Sequence, residues 1–202
     1  EMRYGLVGSE MCIRDSRLFV EEKIFDKFLK KLVVRIKKLK VGNGFEKSDV
    51  GPLISEKAIK KIKNHIDDAL SKGGEILIGG KKSKIGKLFF EPTIVTNINK
   101  SMKIFSNENF GPIIPVIKFK SDDELIQLAN DTNYGLAAYF YTKKASRVWK
   151  IIENLEYGML GINSGKISSY LNPFGGLKES GVGREGSIPV SYTHLTLPTT
   201  SS

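Results

Sequence analysis

The sequence predicts an α/β fold, a mostly parallel sheet with helices on both faces. Stretches with apolar residues at helical spacing alternate along the chain with short apolar runs, as at Ile24–Leu39 and Ile113–Phe119. Glycine and proline mark several of the boundaries between these stretches, as at Gly42-Asn43-Gly44, Gly51-Pro52 and Gly73-Gly74. Strands that read as strongly apolar are those covered on both sides, which is the habit of parallel sheets.

Leu18-Phe19-Val20 is a short apolar run suited to a buried strand. Ile24, Phe25, Phe28, Leu29, Leu32, Val33, Ile36 and Leu39 then recur at helical spacing opposite Lys27, Lys30, Lys31, Lys37 and Lys38. That is an amphipathic helix, and Gly42-Asn43-Gly44 is expected to stop it. Ser55 is placed to cap a second helix carrying Ala58, Ile59, Ile62, Ile66, Ala69 and Leu70, which Gly73-Gly74 ends. His65 sits there among lysines and is expected to be an exposed bystander. Glu75–Ile78 reads as a strand, and Phe89–Val95 as an extended segment whose Pro92 marks an edge or a strand start. Ile113–Phe119 follows as a strand, then a helix over Asp122–Asn130, with Leu125, Ile126 and Leu128 inward. Ala137–Tyr141 is a strand, Lys143–Asn154 a helix through Val148, Trp149, Ile151 and Ile152, and Met159–Asn163 a last strand. There is no internal repeat and no low-complexity linker.

Composition narrows the function. The chain of 202 residues carries a net charge of +10, which invites a nucleic-acid reading. Its lysines, however, are spread along helices with acidic neighbours, as in Lys60–Asp68, and no basic block is interleaved with aromatics for base stacking. A solvated lysine surface is the expectation, without a nucleic-acid partner. No apolar run approaches the length needed to cross a bilayer, so no membrane is expected; without a cysteine or a second histidine between Arg17 and Ile188, no metal site is expected either.

The two ends read differently from the middle. Glu10–Ser16 can be encoded by a DNA whose reverse complement, in one frame, encodes Val-Ser-Tyr-Thr-His-Leu, the sequence of Val190–Leu195. Inverted copies of one DNA element at both ends indicate translated sequencing adapters, so residues 1–16 and 189–202 are expected to be adapter-derived and 17–188 the genuine segment. The single cysteine, Cys12, lies in the first of these, and is refused the role of nucleophile.

Glycines cluster at Gly175, Gly176, Gly181, Gly183 and Gly186, around Pro173-Phe174, where backbone must turn or lie close against a neighbour. Gly181–Gly186 fits the dinucleotide fingerprint G-x-G-x-x-G literally, but no buried strand precedes it, so that reading is rejected. The longer string is specific. Glu156–Gly165, then Pro173–Gly176 and Ser180–Gly186, resembles the C-terminal signature of the aldehyde dehydrogenase superfamily, and most of all its succinate-semialdehyde branch. The resemblance extends from about Arg17 to Ser187, and Asp131–Ala138 is a further landmark with an expected structural role.

The resemblance implies an NAD(P)-dependent enzyme in which a cysteine thiolate attacks the aldehyde, hydride leaves to NAD or NADP, and a glutamate-activated water hydrolyses the thioester. Glu108-Asn109-Phe110-Gly111-Pro112 matches the family's Glu-x-Phe-Gly-Pro motif. By that resemblance Glu108 accepts hydrogen bonds from the nicotinamide-ribose hydroxyls and Phe110 lies beside the nicotinamide. Ser168 matches a serine used against the carboxylate of a semialdehyde, and Phe174 helps wall the aldehyde channel. Lys166 stands where an apolar residue is expected. The nucleophile and the base fall before Arg17, so the segment alone is expected to be inactive. The resemblance also implies a cytoplasmic homo-oligomer, dimer or tetramer, acting on a small aldehyde. The alternatives are a dehydrogenase for another aldehyde and a non-catalytic basic α/β binding module.

Overall fold

The computed structural model describes residues 17–165, 167 and 173–184. These fall into two compact units that divide between Leu125 and Ile126.

In the first unit, four strands form one sheet in the order β1-β4-β3-β2: β1 (Leu18–Glu21), β2 (Glu75–Ile78), β3 (Thr93–Thr96) and β4 (Ile113–Phe119). β4 runs parallel to both β1 and β3, and β2 is added antiparallel at the edge. Side chains alternate across the pleat, and the two faces acquire separate cores. Ile94 and Val116 face α1 (Phe25–Ile36), which brings Phe25, Phe28, Leu29 and Leu32. Val95 and Ile113 face α2 (Glu56–Ser71) and α3 (Lys103–Ser106), which bring Ile59, Ile62, Ile66 and Ile104. The expected sheet covered on both faces is present. β4 changes neighbours along its length, pairing with β3 over Ile113–Pro115 and with β1 from Val116 onward. Pro115 therefore sits where the β1 side is still an edge, so its missing N–H costs no bond there.

Local signals set most of the ends. The Ser55 hydroxyl accepts from the Ala58 amide at 3.3 Å and caps α2, while Gly73, at φ +91°, turns the chain out of it. β3 starts immediately after Pro92, in agreement with a strand-start proline. α1 is shorter than its apolar pattern: it closes at Ile36, and Leu39 lies in the turn that follows, with its amide on the Ile36 carbonyl at 3.0 Å.

The second unit holds the end of α4 (Asp122–Asn130), a parallel pair β6 (Ala137–Phe140) and β7 (Met159–Ile162) joined by α5 (Ala145–Asn154), and a short antiparallel pair β5 (Tyr134–Gly135) and β8 (Leu177–Lys178). Ile151 is buried on α5. Trp149, counted from the sequence among the apolar positions of that helix, is 63% exposed. Two positions after Ile151 lies Glu153, so the buried stripe is narrower than the apolar content of the helix.

Candidate cofactor-contact site

The segment between α3 and β4 carries Asn107-Glu108-Asn109-Phe110-Gly111-Pro112 and is pinned from several sides. Gly111 lies so close to Ile62 of α2 that any Cβ there would overlap its side chain. The Pro112 carbonyl accepts from the Thr93 amide at 2.8 Å, which locks the exit of the loop onto β3. Between these points Glu108 is half-buried and Phe110 is 47% exposed, so both can present themselves to a ligand.

Asn109, between them, points inward and is buried. Its Nδ2 donates to the Ile104 carbonyl of α3 at 2.8 Å, which leaves its Oδ1 facing His65 Nδ1 at 2.7 Å. The carbonyl of Ile104 can only accept, so Asn109 Oδ1 is an acceptor and His65 Nδ1 carries the proton. His65 is therefore the Nδ1–H tautomer when neutral, assigned by the network. Burial is the main influence holding its pKa below the ordinary imidazole value, reinforced by Lys61 and Lys103 and opposed by the bond to Asn109 and by Asp68.

That burial corrects the expectation of an exposed bystander: His65 is 5% exposed. The physical reason is position on the helix. His65 lies three residues after Ile62 and four before Ala69, both buried, so it belongs to the inward stripe of α2 in spite of its lysine neighbours. That spacing was the available signal, and Asn109 as its partner had none.

Beside the loop, an open cleft of about 620 Å³ is lined by His65, Asn107 and the lysines Lys57, Lys60, Lys61 and Lys103. None of the four ammonium groups is held in a salt bridge among the described residues. Asp68, one turn along α2, accepts from the Lys103 amide at 2.7 Å and pairs with Lys72 at 2.8 Å, and both contacts lower its pKa, the Lys72 bond foremost.

Phe174, the third candidate, belongs to the second unit and is half-buried. The glycines after it pack as closely as their composition suggests: a Cβ on Gly158 would overlap the Gly175 carbonyl and the Gly176 backbone. The landmark over Asp131–Ala138 has a structural job. Lys178 donates to the Asn130 and Thr132 carbonyls at 2.8 and 3.1 Å and pairs with Glu156 at 2.5 Å, while the Ser180 hydroxyl accepts from the Gly135 amide at 3.0 Å. Ser168 and Lys166 lie outside the described residues, so the structure brings Glu108 and Phe110 together on one loop and describes Phe174 within its own unit.

The family described as "Aldehyde dehydrogenase family" matches residues 6–199, and the chain belongs to it. That match runs beyond residues 17–188 at both ends. The probable succinate-semialdehyde dehydrogenase [NADP(+)] of Sinorhizobium fredii is 46% identical over 181 residues, 89% of this chain and 37% of that protein. The glutarate-semialdehyde dehydrogenase of Pseudomonas aeruginosa is 47% identical over 181 residues, 89% of this chain and 38% of its own length. Among solved structures, the succinate-semialdehyde dehydrogenase of Burkholderia pseudomallei superposes with a TM-score of 0.83 at 51% identity, over 85% of this chain and 36% of that one. The chain thus spans less than two-fifths of the length of these relatives.

Proposed function

We propose that residues 17–188 are the catalytic-domain segment of an NAD(P)-dependent dehydrogenase that oxidises succinate semialdehyde to the acid through a cysteine thioester. The observation that carries this reading is the pinned loop Glu108–Pro112. It offers a half-buried carboxylate and a half-exposed ring beside a cleft lined by four lysines. NAD(P) supplies the hydride acceptor when bound. The fit is chemical: a carboxylate is acceptor-only and suits a pair of ribose hydroxyls, and a half-exposed phenyl ring suits a flat heteroaromatic ring. In this reading Glu108 and Phe110 orient the ring that receives the hydride. Ser168 holds the distal carboxylate of the substrate, and Phe174 walls its approach.

The nucleophilic cysteine and the general base are supplied from outside residues 17–188, which contain no cysteine. The complete enzyme is a homo-oligomer, as the resemblance implies. A second substrate reading, glutarate semialdehyde, is favoured by the 47% identity to the Pseudomonas aeruginosa enzyme. The two substrates differ by one methylene, worth only about 1–3 kcal/mol of discrimination in a pocket.

The test is Glu108→Gln in the complete enzyme that carries this segment. Replacing a charged acceptor should raise the Michaelis constant for NAD(P) or slow hydride transfer by about tenfold, since a charge-assisted hydrogen bond is worth roughly 1.5–3 kcal/mol. Unchanged kinetics at both limiting and saturating cofactor would remove Glu108 from the site.

A further inference from the structure

The two residues offered to the cofactor share a loop, and the residue between them is the one that fixes it. Glu108 and Phe110 flank Asn109, whose side chain is buried and spends both ends of its amide on the protein, Nδ2 on the Ile104 carbonyl of α3 and Oδ1 on His65 of α2. Burial alternates along the loop: Glu108 is half-buried, Asn109 buried and Phe110 exposed. With Asn109 anchored inward, its two neighbours are left on the accessible side.

The anchor itself comes from a different helix. α2 is a 16-residue element with a capped N-terminus, and Ile59, Ile62, Ile66 and Ala69 fix it to the sheet. His65 carries that rigidity into the loop at one point, while the packing of Gly111 against Ile62, one turn earlier on the same helix, supplies a second.

We propose that His65 is a positioning residue for cofactor binding: through its bond to Asn109 it sets the directions in which Glu108 and Phe110 present themselves. The inference rests on the reading of Glu108 and Phe110 as cofactor contacts, and it goes beyond that reading by naming what aims them. His65 touches no reacting atom, so its effect belongs to the cofactor and leaves the aldehyde term alone. An apolar ring of similar shape fills the space but leaves Asn109 Oδ1 buried without a donor, so the inward orientation of Asn109 loses one of its two anchors.

The experiment compares four variants of the complete enzyme carrying this segment, read by steady-state Michaelis constants for NAD(P) and for succinate semialdehyde, with a melting temperature for each. Glu108→Gln reports on the cofactor reading. His65→Phe and Asn109→Asp each break one arm of the link, the second by facing an oxygen to the Ile104 carbonyl. His65→Asn keeps an N–H donor at the position of Nδ1 for Asn109. The expected result is a rise of about threefold or more in the cofactor constant for His65→Phe and Asn109→Asp, an unchanged aldehyde constant, and recovery toward wild type in His65→Asn. If Glu108→Gln is impaired while His65→Phe and Asn109→Asp lower only the melting temperature, the positioning role is overturned and the cofactor reading stands. If Glu108→Gln behaves as wild type, the cofactor reading fails and the inference with it. Should either disruptive variant fail to fold, the other, set against His65→Asn, decides the case by the same criterion.

Discussion

His65 titrates in surroundings that oppose its charged form: it is buried, and Lys61 and Lys103 add positive charge, against the weaker support of Asn109 and Asp68. In the unfolded chain the imidazole titrates near its ordinary value of about 6.5, and in the folded protein its pKa lies below that. Above pH 6.5 both states are neutral and the contribution of His65 to stability is complete. As the pH falls through that value, the unfolded chain takes up a proton that the folded chain refuses, and stability declines until the folded pKa is passed. A melting-temperature profile should therefore drop below about pH 6.5, and the drop in that window should vanish in His65→Gln. A wild-type profile that stays flat from pH 7.5 to 5 would show the histidine to be solvated. Asp68 adds a second loss further into acid, because the Lys72 ammonium and the Lys103 amide lower its pKa and protonation removes both contacts.

At the scale of elements, glycine positions carry opposite meanings depending on what lies opposite them. Gly73 faces open space and is required for its φ of +91°. Gly158, just before β7, needs no unusual dihedral, but its α-carbon rests on the backbone of Gly175 and Gly176. Gly158→Ala should destabilise the second unit by about 1–3 kcal/mol, since the obstruction is backbone and has no rotamer to yield. The drop in chemical-denaturation midpoint measures it, and an unaltered midpoint would mean that the glycine-rich segment does not rest on β7. The tie made by Lys178 to the end of α4 belongs to the same assembly, joining β8 to the carbonyls of Asn130 and Thr132. Rejection of the dinucleotide fingerprint follows from the same geometry. Gly181–Arg184 come after a two-residue strand and a turn, and the Arg184 guanidinium is folded back on the carbonyls of Gly176, Val182 and Gly183.

At the scale of the whole molecule, the chain spans little more than a third of the length of its relatives, and residues 17–188 offer no cysteine. The chain as given should form no NAD(P)H from succinate semialdehyde, because residues 17–188 supply no thiolate to attack the aldehyde. An absorbance assay at high protein concentration checks this, and turnover abolished by Cys12→Ser would reverse the assignment of residues 1–16. The exposed Phe45, Ile54 and Ile85 of the first unit do not bear on that outcome, since none of them lies on the loop or the cleft.

The sequence by itself determined the class of fold, the sites of Ser55, Gly73 and Pro92 as boundaries, the strand Ile113–Phe119 and the helix Asp122–Asn130, because each depends on neighbours a few residues away. It also determined the family, since the strings at 107–112, 156–165 and 173–186 are specific in their spacing. The antiparallel addition of β2, the handover of β4 from β3 to β1 at Pro115, and the pairing of His65 with Asn109 were decided only in three dimensions. His65 shows the reason most plainly. Lys60, Lys61 and Lys63 precede it on α2 and its partner is 44 residues away, so no local pattern names Asn109 as the group that takes its proton. Helical spacing could place it on the inward stripe, but the hydrogen bond that gives that placement a purpose exists only once α2 and the loop before β4 are packed together.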